Sequence, residues 1–139
     1  MVARGQRVVL ALYGHPWQAP LDDIQRRHYA QFLHHVLERI PKIRDVVVWN
    51  EANSPDFWPA AGGAAAYEAL LAECWDRPRR LRPYVNLISS TAARHDGAGF
   101  IRAVGAAYRE SGRKRPIITT FGHNPYPLNA AEPPWMRHD

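Results

Sequence analysis

The chain has a single cysteine, Cys74, so no disulfide can close within it, and a stapled secreted scaffold is excluded. Lysine is almost missing: Lys42 and Lys114 are the only two, and arginine carries most of the charge that leaves the chain at +5. No apolar run approaches the roughly 18 residues that a membrane-crossing helix needs. The opening stretch MVARGQRVVLALYGHPW starts basic, but its apolar run is short and no small-residue cleavage site follows. That pattern argues against a signal peptide and leaves location open. Also missing are the Gly-x-Ser-x-Gly elbow of serine hydrolases and the His-Glu-x-x-His pair of zinc peptidases.

Seven histidines nevertheless raise the question of metal. His28, His34 and His35 share one helical stretch without ligand spacing. His15 and His123 are better explained as hydrogen-bonding groups, so we expect neither a metal nor any other cofactor. The basic clusters RPRRLRP (77–83) and RKR (113–115) are broken by prolines or sit in a loop. Neither lies on a helix suited to a nucleic-acid groove, and no recognition signature accompanies them. We read them as solvated charge and expect neither nucleic-acid nor membrane partners.

Four strand-like runs are present, RVVLALY (7–13), DVVVW (45–49), YVNLISS (84–90) and PIITTF (116–121). Three helical stripes lie between them. In the first, Tyr29, Phe32, Leu33, Val36, Leu37 and Ile40 recur in steps of three and four, with Asp22 and Asp23 at the start and Pro41 at the end. The second runs through Tyr67, Leu70, Leu71 and Cys74 and is limited by Pro78. The third runs from Phe100 to Tyr108, with Gly112 suited to its C-terminal end.

Strands alternating with helices, at the spacing of βαβ units and with continuous apolar runs, predict a parallel sheet in an α/β fold. We expect one domain over 1–139, with β/α units over 1–124 and a proline-rich, loop-like tail over 125–139. A doubly wound sheet would carry a glycine-rich turn after its first strand, where this chain has YGHPWQAP. Polar and aromatic residues gather instead at the strand C-terminal ends, as in a barrel enzyme. A whole (β/α)8 barrel takes about 250 residues, so the expectation is a partial barrel of about half that size.

The strand end VVVWNEANSPDFWP (46–59) resembles the Trp-Asn-Glu-Pro-Asn signature after strand four in the clan of retaining (β/α)8 glycoside hydrolases that includes cellulases and β-xylosidases. The stretch from YEALLAECWDRPRRLRPYVNLIS to FIRAVGAAYRESGRKRPIITTFGHNPYP is similar to strands five and six of actinobacterial cellulase-family enzymes, with their intervening helices. The resemblance covers strands three to six of such a barrel. It implies a carbohydrate substrate and hydrolysis of O-glycosyl bonds with retention. Glu51 takes the place of the general acid/base and Asn50 that of the residue binding the sugar 2-hydroxyl. His123 and Tyr126 match cleft-lining positions. Trp17, Trp58, Trp49, Phe57 and Trp135 are aromatics that could stack on sugar, Trp49 being better suited to the core. A structural ion pair to arginine is the alternative role for Glu51.

The chain departs from the pattern at Ala52, where relatives have proline, at Thr119, where an acidic residue is common, and at Asn124, where a second histidine is common. The larger departure is the nucleophile, which in this clan is a glutamate at the end of strand seven. Of the remaining carboxylates only Glu132 is not excluded by its context. The expectation is therefore an acid without its nucleophile, inactive by itself. A half barrel that self-associates through its exposed sheet edges, without catalysis, is the competing expectation.

Overall fold

A computed structural model of the protein describes residues 7–79, 84–92 and 95–126, together with 131 and 133. It bears out the α/β expectation. Four strands, β1 (Val9–Leu12), β2 (Asp45–Val48), β3 (Asn86–Ala92) and β4 (Thr120–Asn124), form one sheet in the order β1-β2-β3-β4. Every neighbouring pair is parallel. Helices α1 (Asp23–Arg39), α2 (Gly63–Arg79) and α3 (Gly97–Glu110) make the crossovers, and a single 3-10 turn (Pro16–Gln18) follows β1. Sequential parallel order with a helix after each of the first three strands is the connectivity of a barrel arc.

Each helix starts and stops for a local reason. Asp22 caps α1 by accepting the Gln25 amide at 2.8 Å, while the Gln25 side chain accepts the amides of Leu21 and Asp22. Asp96 caps α3 by accepting the Gly99 amide at 2.9 Å. Beyond the end of α3, Gly112 takes a φ of +67°, the left-handed conformation that ends helices. Helix α2 runs one residue past Pro78, close to the limit that this proline predicts.

The core lies between the sheet and the helix layer. Leu33 and Leu37 of α1, Leu70 and Leu71 of α2, and Val46, Val48 and Leu87 of the sheet are buried there. The α1 stripe is wider than the face it buries, because Phe32 and Ile40 are exposed.

Two tyrosines tie the helix layer to the strand ends. Tyr29 of α1 donates its hydroxyl proton to the Leu12 carbonyl at 2.6 Å and accepts the Trp49 amide at 3.1 Å. Tyr67 of α2 repeats this one strand along, donating to Val48 at 2.8 Å and accepting from Ser90 at 3.1 Å. Burial pushes both phenols above their ordinary range, so each stays neutral and able to donate and accept at once.

The last two strands lie further along the chain than their apolar runs predict. β3 pairs with β4 from Ile88↔Thr120 to Ala92↔Asn124. Residues 116–118 form a connector, with Ile117 buried against the core. Its apolar character serves packing, and ladder bonding starts only as the Thr119 amide meets the Leu87 carbonyl at 2.8 Å.

At the opposite, N-terminal edge of the sheet, the buried Asp45 carboxylate accepts Nε and Nη2 of Arg7, each at 2.5 Å, and Nδ2 of Asn86 at 2.8 Å. The Arg7 hydrogen bonds hold this carboxyl below its usual range. Two residues of the second basic cluster, Arg113 and Arg115, fold onto Asp76 of α2. No described helix is long and apolar enough to cross a membrane.

Candidate active site

The chain leaves the sheet abruptly after β2. Trp49 has a φ of +59° and Glu51 a φ of +39°, conformations that cost non-glycine residues on the order of 1–3 kcal/mol each. The loop that follows is held against β3. The Glu51 amide donates to Oγ of Ser90 at 3.1 Å and the Ala52 amide to the Ser90 carbonyl at 3.1 Å. Asn53 closes the join, donating to the carbonyls of Ala92 and His95 and accepting the Ala92 amide at 2.7 Å. The strained turn is thus fixed by contacts on both sides, a pattern found where a side chain must be aimed.

What it aims is the Glu51 carboxyl, only 8% of the residue being exposed. Oε1 accepts Nδ2 of Asn124, at the end of β4, at 2.7 Å. The strand register identifies the side of the sheet on which they meet. Phe121 packs with Tyr67, Leu71 and Phe100 on the helix-covered side. His123 shares its parity, whereas Asn124 points the other way. The Glu51 carboxyl therefore lies at the C-terminal edge of the sheet and toward its helix-free face. Among the described residues it has no ion-pair partner, and the arginine bridge considered from the sequence is not formed there.

His123, expected beside Glu51, is instead turned to the helix side. Its Nδ1 lies 3.2 Å from Oγ1 of Thr91, and its ring lies near Gly97 at the start of α3. Alternation along the strand is the reason: neighbouring residues of β4 cannot face the same way, and Asn124 takes the place beside the acid. The sequence singled out Asn124 only as a departure from a pattern. Parity would have found it once β4 was set at Thr120–Asn124 in place of 116–121.

Trp58 is also placed away from open substrate space. It is 3% exposed and donates Nε1 to the Gly63 carbonyl at 3.1 Å. Its ring packs edge-on against Trp49 and Tyr67, at 5.7 and 5.6 Å. A Cβ at Gly62 would come within 2.6 Å of that indole nitrogen, so glycine is required for this packing. Trp49 is buried as expected and donates Nε1 to the Phe57 carbonyl at 2.7 Å. These aromatics form the wall behind the Glu51 turn.

Trp17 differs in being 78% exposed, stacked flat on His15 at 4.3 Å. It follows β1 at the same sheet edge as the Glu51 turn. Tyr126 is exposed two residues beyond Asn124, and Asn50 is half-buried next to Glu51. Glu132 and Trp135 lie outside the described residues. Of the other carboxylates considered, Glu68, Glu73 and Glu110 are on helices, Asp96 is a helix cap and Asp56 is in the exposed part of the 49–62 loop. No group of three or more His, Cys, Asp or Glu among the described residues is arranged to hold a metal ion. Chemically, the arrangement offers one fixed carboxyl able to give or take a proton, with the exposed Trp17 following the neighbouring strand β1.

No family model and no curated protein matches the chain. Among solved structures it is similar to a monomeric β-xylosidase from Caulobacter crescentus CB15, with 25% identity and a TM-score of 0.52. The similarity covers 74% of this chain and 20% of that one, so the chain spans about a fifth of the length of the protein it matches. A parallel four-stranded α/β sheet with a glycosidase as structural neighbour is what fold and comparison together establish.

Proposed function

We propose that this chain carries the acid/base part of a retaining glycoside hydrolase site, with Glu51 as the group that exchanges the proton. The observation that supports this most is the Glu51 carboxyl, presented by a strained turn at the C-terminal edge of a parallel sheet, toward the helix-free face. Active sites of barrel enzymes gather at that edge. The β-xylosidase similarity supports a carbohydrate as substrate.

In this reading Glu51 protonates the departing glycosidic oxygen and then deprotonates the incoming water. Asn50 binds the sugar 2-hydroxyl, the His15–Trp17 stack offers a flat face for a sugar ring, and Tyr126 lines the cleft. The attacking carboxylate is to be sought outside the described residues, since none of those within them shares the Glu51 site. The reading is tested by leaving-group dependence. In a form of the protein that supplies the attacking carboxylate, Glu51→Gln should slow hydrolysis of alkyl glycosides by about 10²–10⁴-fold and that of activated nitrophenyl glycosides much less. Equal losses on both substrates would contradict the acid role.

A second reading is favoured by a separate observation. Val9 on β1 and Phe121 on β4, the two outer strands among the described residues, are 54% and 45% exposed. Such edges pair readily with another strand, and we propose self-association through them. Sedimentation of the chain over a range of concentrations tests this: a mass independent of concentration and equal to one chain would contradict it.

A further inference from the structure

We propose that Asn124 is the positioning residue for Glu51, holding Oε1 so that the proton is exchanged through Oε2. The proposal rests on the acid/base reading of Glu51 and deepens it. Among the described residues Asn124 is the hydrogen-bond partner of this carboxyl, Nδ2 lying 2.7 Å from Oε1.

Both ends of that hydrogen bond are fixed independently. The Glu51 backbone is pinned through its amide to Ser90 and through its carbonyl, which accepts the Ser54 amide at 2.7 Å. Asn124 is held in the β4 ladder opposite Ala92. Its carbonyl accepts the Tyr126 amide at 3.0 Å. β4 can approach β3 closely because position 122 is glycine, where a Cβ would stand 2.3 Å from the Ser89 carbonyl oxygen. The carboxyl is thus oriented by two strands at once, and its rotation about the last side-chain bond is stopped by the amide.

A carboxamide N–H can donate but cannot titrate near neutral pH. With Oε1 receiving that N–H, a proton on the carboxyl resides on Oε2. In the first step the Oε2–H bond breaks and its electron pair stays on the carboxyl. The proton joins the departing glycosidic oxygen, which keeps the pair of the breaking C–O bond, while the anomeric carbon is captured by a carboxylate nucleophile. The negative charge left on Glu51 is stabilised by the Asn124 donor already in place. In the second step Oε2 takes a proton from water, whose oxygen bonds the anomeric carbon as the bond to the carboxylate nucleophile breaks and returns its electron pair to that carboxylate.

The test uses the full chain labelled with 15N. The side-chain amide signal of Asn124, identified by its loss in Asn124→Ala, is followed from pH 3 to 8. The proposal expects that signal to move with pH in the wild type and to stop moving in Glu51→Gln. A signal that is flat in the wild type, or that moves equally in Glu51→Gln, overturns it. Kinetics separate positioning from mere support of the fold. Asn124→Ala should lower kcat on alkyl glycosides by about tenfold at unchanged KM, spare nitrophenyl glycosides, and be largely rescued by Asn124→His, which restores an N–H donor. Equal losses on both substrates overturn the positioning role. If the wild type cleaves neither, as an acid without its nucleophile would, the amide titration decides: a signal tied to Glu51 supports the positioning role, and one that is flat or independent of Glu51 overturns it.

Discussion

The hydroxyl of Tyr67 donates to the Val48 carbonyl at 2.8 Å, and the same oxygen accepts the Ser90 amide at 3.1 Å. It fills the gap in the ladder that opens where the chain turns out of β2 toward Glu51. Removing it by Tyr67→Phe leaves a buried carbonyl and a buried amide without this partner. The expected cost is about 1–3 kcal/mol, read as a lower midpoint in denaturant unfolding. Tyr29→Phe should behave similarly at the β1–β2 join.

The N-terminal edge gives a pH prediction. The Asp45 carboxyl is depressed in the folded protein by Arg7, whereas in the unfolded chain it titrates at about 3.9. Its contribution to stability is present in full above that value and is lost as pH falls through the lower, folded one. Thermal unfolding from pH 7 to pH 3 should show Asp45→Asn well below the wild type at pH 7, with the gap closing in acid.

Glu68 predicts the opposite sign. This α2 residue is 5% exposed, its Oε1 has no hydrogen-bond partner among the described residues, and burial raises its carboxyl. A carboxyl raised on folding opposes folding once pH exceeds its unfolded value, about 4.3. Glu68→Gln should therefore raise Tm at pH 7 and have little effect near pH 4.

The close approach at Gly122 gives a steric prediction. A Cβ there would lie 2.3 Å from the Ser89 carbonyl oxygen and 2.9 Å from Cγ2 of Ile88. Gly122→Ala forces β4 away from β3 and should destabilise by about 1–3 kcal/mol. Because Asn124 is on the displaced strand, the same variant should weaken its hydrogen bond to Glu51, visible as a shift of the Asn124 side-chain amide signal.

Much of the fold was legible because local rules sufficed for it. The three apolar stripes marked the helices, and the continuous strand runs marked a parallel sheet. The place of β4 was not legible, because residues 116–118 are apolar for packing and not for pairing. That displacement, four residues at the start of the strand and three at its end, carried over to the site. It favoured His123, which alternation turns to the helix side, over Asn124, which meets Glu51. The bridging hydroxyls of Tyr29 and Tyr67 were invisible for another reason: their stripes identify a buried ring, while the hydroxyl partners come from strands distant in sequence. Trp58 illustrates the same limit, since a tryptophan in a loop reads alike whether it faces sugar or the core.

The proposed role of Glu51 requires its carboxyl to face carbohydrate. The most direct measurement is titration of the 15N- and 13C-labelled chain with xylo-oligosaccharides and cello-oligosaccharides, followed by NMR. Binding there should change signals at Trp17, Asn50, Glu51, Asn124 and Tyr126 and leave Phe32 on α1 and Ile40 just beyond it unmoved. Changes confined to the helix side, or none at millimolar sugar, would contradict it.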